Sequence, residues 1–215
     1  MATLGQASGK TYLTVINGQF AQKVGEGTEG AEKRTNKNGK VVYEKYYKTA
    51  EGIITSMEIR TSDYDGRTFK TMCITLDDEI QLQFTGGIDN FQNKAIINAL
   101  LTAQIDNPIR FIATKDEEGY SKVFPMQFNK GLKWFSTKDN PQGVPQPVKK
   151  TVAGETKWNW DDQDEWYFNK FQELSEKVKS FLPTKERVEE KETTVEDFPD
   201  NEELKEDVNP DDIPF

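Results

Sequence analysis

The sequence predicts a mainly β protein with one helix inserted between strands and a second helix near the C-terminus. Between residues 12 and 128, short runs of alternating apolar and polar side chains are separated by turn residues, which is the pattern of strands. Two longer segments carry apolar side chains at helical spacing instead. Residues 186–215 are acidic with few apolar side chains, which predicts disorder.

The strands are predicted in hairpin order, because turns rich in Asp and Gly separate most of them. Pro125 indicates that the last strand lies at a sheet edge or a bulge, since proline has no N–H for a ladder. Residues 25–40 are predicted to form a long loop. The predicted strands are Tyr12–Val24 with a bend at Gly18, Val41–Lys48, Ile53–Thr61, Arg67–Leu76, Ile80–Phe84, Ile109–Lys115 and Tyr120–Phe128.

The first helix is predicted over Phe91–Ile105. The pair Gly86-Gly87 interrupts the strand pattern before it, and Asp89 with Gln92 matches a capping box. The predicted apolar face consists of Ile96, Ile97, Leu100, Leu101 and Ile105, and the predicted polar face consists of Lys94, Asn98 and Thr102.

The second helix is predicted over Trp158–Leu182. Acidic residues near its start and lysines near its end suit the helix dipole. Its apolar seam must be buried, either against the rest of the chain or against a second subunit in a homo-oligomer. The seam consists of Tyr167, Phe171, Leu174, Val178 and Phe181.

The order of the elements favours a particular β architecture. A meander with a helix between its third and fourth strand units is typical of a five-stranded Greek-key β-barrel, the OB fold. We expect this barrel within residues 1–150, and an open antiparallel α+β sheet is the alternative. The Pro-rich stretch 139–150 is predicted to be a linker.

Charge is divided unevenly along the chain. The net charge is −9, but residues 186–215 hold 13 acidic and three basic side chains, whereas the first 185 residues hold 24 acidic and 25 basic ones. The overall acidity alone would argue against nucleic-acid binding. A nearly neutral body joined to an acidic arm leaves that function open.

Several kinds of site are excluded by composition. The chain has one cysteine, Cys73, and no histidine. A disulfide framework, a Cys/His metal site and a histidine general base are therefore excluded, and we expect no cofactor. Neither a signal peptide nor a membrane-spanning segment is visible, so we expect a cytoplasmic protein without a membrane partner.

Aromatic and basic side chains are interleaved in a way that favours single-stranded nucleic acid. Bases stack on flat side chains while cations follow the phosphates. Tyr43, Lys45 and Tyr47 alternate along one strand and therefore share a face. Half-buried tyrosines and ordinary surface lysines are the alternative interpretation. The predicted nucleic-acid contacts are Lys33, Arg34, Lys37, Lys40, Tyr43, Lys45, Tyr47, Lys48, Arg60, Arg67, Lys70, Lys122, Lys130, Lys133 and Trp134.

Acidic residues in two turn regions raise the possibility of a two-metal nuclease site. They lie where Asp is common for reasons of turn geometry, so this is an alternative and not the main prediction. The residues are Asp63, Asp65, Asp77, Asp78 and Glu79.

The chain ends in Asp211-Asp212-Ile213-Pro214-Phe215. An apolar tip on an acidic arm indicates a peptide ligand for an apolar pocket rimmed by basic residues. This ending resembles the C-terminal tip of bacterial and phage single-stranded DNA-binding proteins, in which an acidic tail ends in these five residues or a close variant. The long Gly/Gln/Pro-rich linker usual there is missing here, and we expect a phage-encoded relative.

The resemblance implies a non-catalytic protein that coats single-stranded DNA in replication, recombination or repair. It also implies that the tip at Asp211–Phe215 recruits other replication and recombination proteins. The expected parts are an OB-like DNA-binding domain at 1–150, an amphipathic helix at 151–183 and a disordered acidic tail at 184–215. The alternatives are a metal-dependent nuclease and an OB-type protein-interaction module that binds no nucleic acid. A phage-encoded protein would act in the host cytoplasm.

Overall fold

A computed structural model describes residues 9–36, 39–64, 66–152 and 155–181. These residues belong to one compact unit that ends at residue 183, and the separate unit 184–215 lies outside the described residues. The predicted mainly β class is confirmed. The described elements are β1 (Thr11–Ile16), β2 (Gln19–Val24), β3 (Glu32–Thr35), β4 (Val41–Tyr47), β5 (Thr49–Gly52), β6 (Ile54–Tyr64), β7 (Arg67–Leu76), β8 (Ile80–Thr85), α1 (Phe91–Leu100), β9 (Ile109–Lys115), β10 (Ser121–Gln127), β11 (Lys130–Gly131), β12 (Val148–Val152), β13 (Glu155–Asn159) and α2 (Asp161–Phe181).

Seven strands form one sheet in the order β3-β4-β2-β1-β8-β7-β6. Neighbouring strands are antiparallel except β1 and β8, which are parallel. The strand predicted over Tyr12–Val24 is in fact the hairpin β1–β2, because Asn17 and Gly18 both take positive φ, 52° and 76°, as a two-residue hairpin turn requires. The loop predicted over 25–40 contains β3.

Four further strands form a second sheet in the order β11-β10-β9-β5. Only Ile53 separates β5 from β6, yet β5 pairs with β9 and β6 pairs with β7, so this stretch links the two sheets. No ladder among the described strands closes them into a barrel. The edge of β8 that does not face β7 pairs instead with β1, so barrel closure as predicted is not found.

The predicted hairpins β6–β7, β7–β8 and β9–β10 are present. Pro125 pairs with Phe111 of β9, while the short β11 pairs only with Met126 and Gln127. Pro125 therefore lies just beyond the end of the β11 ladder, as the edge prediction requires.

Helix α1 is capped one residue later than predicted. The Asn90 side chain accepts hydrogen bonds from the amides of Gln92 at 2.8 Å and Asn93 at 3.4 Å, so Asn90 and not Asp89 is the N-cap. The helix ends at Leu100, and Ile105 is buried in the turns that follow it.

The polar face predicted for α1 is wrong at two positions, because neighbouring segments cover it. Asn98 is buried and exchanges two 2.8 Å hydrogen bonds with the backbone of Ser136. Lys94 is also buried, with an ion pair to Asp164 of α2 and its ammonium 5.3 Å from the centroid of the Trp160 ring.

Helix α2 begins at Asp161, later than predicted, because residues 155–159 form β13. Its seam is buried within the same chain: Tyr167, Phe171, Leu174 and Val178 join the core, and Ser175 donates a 2.8 Å hydrogen bond to the Met57 carbonyl of β6. Phe181 is 53% exposed, so its inclusion in the seam is wrong. The seam therefore provides no argument for a homo-oligomer.

One core joins both sheets and both helices, with Phe20, Met72, Leu82, Ile97 and Phe111 completely buried. The Pro-rich stretch predicted to be a linker contributes to it, because Val144 is buried in the same core. The stretch then continues into β12.

Candidate functional site

The tyrosine face, which we define as Tyr43, Lys45 and Tyr47 on β4 with Lys33 on β3, assembles as the alternation predicts. Lys33 lies directly across from Tyr43 in the β3–β4 ladder. The Tyr43 hydroxyl donates to Glu26 at 2.5 Å, and the Tyr47 hydroxyl donates to Gln22 at 2.9 Å. The carboxylate of Glu26 raises the pKa of Tyr43 through this hydrogen bond. Both rings are thus held by their hydroxyl groups at a partly exposed surface.

Arg34 lies on the opposite face and has an internal partner. Its guanidinium donates two 2.7 Å hydrogen bonds to the buried Glu44 carboxylate, which also accepts one at 2.7 Å from the Tyr46 hydroxyl. These bonds, Arg34 first, hold the pKa of Glu44 below its usual range, and the same pair raises the pKa of Arg34. The positive charge of Arg34 is therefore largely balanced inside the protein.

Lys40 and Lys48 are exposed near the two ends of β4, as a phosphate contact would require. The other predicted contact in this region, Lys37, lies outside the described residues. So do the predicted partner-binding residues Asp211, Asp212, Ile213, Pro214 and Phe215.

The aromatic groove, which we define by the side chains of Phe91, Phe124, Trp134 and Lys122, is a hollow of about 320 Å³ between α1 and β10. Phe91 is 78% exposed, Trp134 48% and Phe124 44%. Lys122 lines the groove and forms a 3.0 Å ion pair with Asp116, which lowers the pKa of that carboxyl group. The remaining lining residues are Gln92, Ala95, Ala99, Val123, Pro125, Gly131 and Leu132.

Local structure explains why these rings are exposed. Phe91 is the first residue of α1, and in that helix only Phe91, Gln92 and Ala95 are not buried. Phe124 lies between the buried Val123 and Pro125, so alternation along β10 turns it outward. Sequence reasoning identified Trp134 and Lys122 but missed both phenylalanines. Alternation along β10 was a sufficient signal for Phe124, whereas the exposure of Phe91 depends on which segments cover α1.

Lys130 and Lys133 line a hollow next to the aromatic groove, of about 370 Å³. The two hollows share Gly131 and Leu132, and Phe128 adds another exposed ring to the second one. The structure thus brings all four predicted residues of this region, Lys122, Lys130, Lys133 and Trp134, to neighbouring surfaces.

Arg60, Arg67 and Lys70 lie on the β6–β7 hairpin and line neither the aromatic groove nor the hollow beside it. Arg60 is paired with Glu58 on its own strand at 2.6 Å. Lys70 lines a different cavity together with Asp89, Asp164 and Glu165, and this acidic surrounding disfavours a phosphate. Arg67 is exposed on β7.

Two of the acidic turn residues accept local hydrogen bonds, and Asp65 lies outside the described residues. Asp77 accepts a 3.0 Å hydrogen bond from the Ile53 amide, and Asp63 accepts one of 2.6 Å from the Thr68 hydroxyl. Within the described part of the chain, no three His, Cys, Asp or Glu side chains are grouped so that they could hold a metal ion. Among the same residues, neither helix is long and apolar enough to cross a membrane.

Comparison with known proteins adds no assignment to these surfaces. No protein-family model, no curated protein and no solved structure matches the chain. The function is therefore argued from the residues and their geometry.

Proposed function

We propose that this chain is a non-catalytic single-stranded DNA-binding protein, which coats exposed strands during replication, recombination or repair. The observation that carries the proposal is the aromatic groove, where three partly exposed rings surround a hollow with a lysine at its wall. A soluble surface rarely gathers exposed aromatic side chains without a ligand for them. Bases of any sequence can stack on such rings.

Charge supports a nucleic-acid ligand at this surface. Lys130 and Lys133 are exposed in the adjoining hollow, and Lys122, which is paired with Asp116, lines the groove itself. Cations beside stacking rings are the arrangement that binds the backbone and the bases of one strand together. In a duplex the bases are already stacked on each other, so the groove favours single strands over duplex.

The fold and the C-terminal segment support the same proposal. The stretch β5–β6, the meander β6–β7–β8, helix α1 and the hairpin β9–β10 follow one another in the order of an OB barrel, and we propose that the chain has an open variant of this architecture. The tip Asp211–Phe215 would recruit replication and recombination proteins, as the resemblance of its sequence implies. Such a protein would act in the cytoplasm of a bacterial host.

The test is a titration of the full chain with oligo(dT), followed by quenching of tryptophan fluorescence. We expect tight binding to the single strand, much weaker binding to a duplex of equal length, and affinity that falls steeply with salt. Trp134→Ala and Phe124→Ala should each lower affinity about 5- to 150-fold, since one stacked base contributes roughly 1–3 kcal/mol. Phe181→Ala, which removes an exposed ring on α2, is the matched control and should bind like the wild type.

Two results would favour one of the alternative functions, a protein-interaction module or a nuclease. Equal affinity for single strands and duplex, or none for either, would contradict the proposal and favour a protein-interaction module. Cleavage of the oligonucleotide that depends on added Mg²⁺ would favour a nuclease.

A further inference from the structure

The basic ribbon, which we define as the hairpin of β12 and β13, stands apart from the two larger sheets. Among the described strands, β12 and β13 form a ladder only with each other. Every described side chain from Val148 to Trp158 is exposed, so the ribbon buries little apolar surface. An isolated two-stranded hairpin is marginally stable in water, and its residues are therefore poorly explained by packing.

Two lysines face each other across the ribbon. Lys150 is the direct partner of Lys157 in the β12–β13 register. Like charges directly opposite on neighbouring strands are destabilising. The Glu155 carboxylate lies 2.7 Å from the Lys157 ammonium group, but both side chains are more than 70% exposed. This ion pair therefore offsets little of the repulsion between the two lysines. A phosphate bound between the two ammonium groups would remove the repulsion.

The opposite face of the ribbon carries an exposed ring. Trp158 is 56% exposed and lies across from Lys149, whose ammonium is 5.0 Å from the ring centroid. An indole beside a flexible lysine is suited to stack on a base while the lysine contacts the adjoining phosphate. The Trp158 face of the ribbon thus offers both contacts that a single strand requires, and the Lys150–Lys157 face offers a second phosphate site.

The ribbon is fixed to the body at its base. Gln163, just after the ribbon, donates a 3.0 Å hydrogen bond to the Pro145 carbonyl, which precedes it. The same side chain accepts a 3.3 Å hydrogen bond from Lys94 of α1, whose ammonium also lies over Trp160. The two ends of the ribbon are therefore held to α1, the helix that forms one wall of the aromatic groove.

We propose that the basic ribbon is a second binding surface for single-stranded DNA, which extends the proposed DNA site beyond the aromatic groove. This inference rests on the proposed function. A five-residue strand spans roughly 16 Å, enough to contact a few additional nucleotides. A protein partner fits less well, since lysine is depleted at protein–protein interfaces, whereas interfaces with nucleic acid are strongly positive.

The test compares Lys150→Gln/Lys157→Gln and Trp158→Ala with the wild type in the full chain, using a short and a long oligo(dT). The short one should fill the groove only, and the long one should also reach the ribbon. We expect each variant to lose at least fivefold in affinity for the long oligonucleotide and little for the short one. The double variant should also lower the salt dependence by about 0.7 in log–log slope, which is the value for one lost phosphate contact on a single strand.

The matched control is Lys138→Gln/Lys177→Gln, which removes the same charge from exposed positions outside the ribbon. It should bind the long oligonucleotide with nearly the wild-type salt slope. Thermal melting checks the fold, and removal of the Lys150–Lys157 repulsion should leave the melting temperature unchanged or higher.

Three results would overturn the inference. If the wild type binds and Trp134→Ala weakens binding, but the ribbon variants match the wild type on the long oligonucleotide, the ribbon is not a DNA surface and the proposed function stands. If the wild type binds no single-stranded DNA, both the proposed function and the inference about the ribbon are wrong. If the ribbon variants change the sedimentation of the DNA-free protein and leave its DNA affinity intact, the ribbon is a contact between copies of the chain.

Discussion

Gly18 lies against the backbone of Lys115: a Cβ atom built on Gly18 would lie 2.8 Å from the Lys115 amide nitrogen. The Gly18 amide also donates a 2.9 Å hydrogen bond to the Ser121 hydroxyl. The turn of the β1–β2 hairpin in the seven-stranded sheet is therefore seated on the β9–β10 hairpin of the other sheet. This contact holds the two sheets together where no ladder joins them.

The first prediction concerns this close approach. Gly18→Ala should destabilise the protein by about 3 kcal/mol, because a positive φ of 76° is combined with a clash against backbone. Gly119→Ala is the control, since its φ is 87° but its Cβ would meet open space, and it should cost about 1 kcal/mol. Urea unfolding measures both, and equal losses would show that the contact between the sheets contributes nothing.

The second prediction concerns Glu44. Glu44→Gln should lower the free energy of unfolding near neutral pH by about 2 kcal/mol, because it removes the charge that binds Arg34 and Tyr46. Glu58→Gln, which removes the carboxylate of an exposed pair with Arg60, should cost less than about 1 kcal/mol.

The same pair predicts a pH dependence. The folded pKa of Glu44 lies below its usual value of 4.5, so its contribution is present above that pH and is lost as the pH falls through the folded pKa. The difference between the wild type and Glu44→Gln should therefore shrink in urea unfolding below pH 4.5. A difference independent of pH would contradict a charged Glu44 in the folded protein.

The third prediction concerns α2. Leu174→Ala should cost about 2–5 kcal/mol, since Leu174 is buried in the core that α2 shares with β6. Phe181→Ala, the exposed end of the predicted seam, should cost less than about 0.5 kcal/mol. Similar losses of stability for the two variants would indicate that Phe181 is packed in the core as Leu174 is.

The fourth prediction separates two roles of the acidic C-terminal segment. Removing residues 186–215 deletes 13 acidic and three basic side chains, so affinity for oligo(dT) should rise, most at low salt where screening is weakest. Removing residues 211–215 deletes only two side-chain carboxylates and should leave DNA affinity nearly unchanged while abolishing partner binding. Filter binding at two salt concentrations measures the first effect. An unchanged or lower affinity for the longer truncation would leave only a recruitment role.

Much of the strand pattern could be predicted because it depends on neighbours in the chain. The bounds of β7 and β9, Arg67–Leu76 and Ile109–Lys115, are those predicted from alternation and turn residues. The hairpin at Asn17-Gly18 was predictable in principle, since Asn-Gly is a strong local turn signal. The helix cap was displaced from Asp89 to Asn90 because two residues capable of capping are adjacent.

The candidate site was predicted only where it depends on the pattern within one strand. Alternation alone places Tyr43, Lys45 and Tyr47 on one face, and the structure confirms it. The ion pair between Arg34 and Glu44 was not predictable, because the two residues are ten positions apart and come into contact only across the β3–β4 ladder. Phe91 and Phe124 come together only because α1 packs beside β10.

The sequence by itself determined the mainly β class, the two helices and the separation of an acidic segment from a nearly neutral body, because these follow from periodicity and composition. Only the tertiary structure decided that β1 occupies the edge of β8, that Lys94 is buried between α1 and α2, and that the aromatic rings gather in one groove. Each of these depends on contacts between segments far apart in the chain. Local pattern carries no information about which distant surface will cover or leave open a given face.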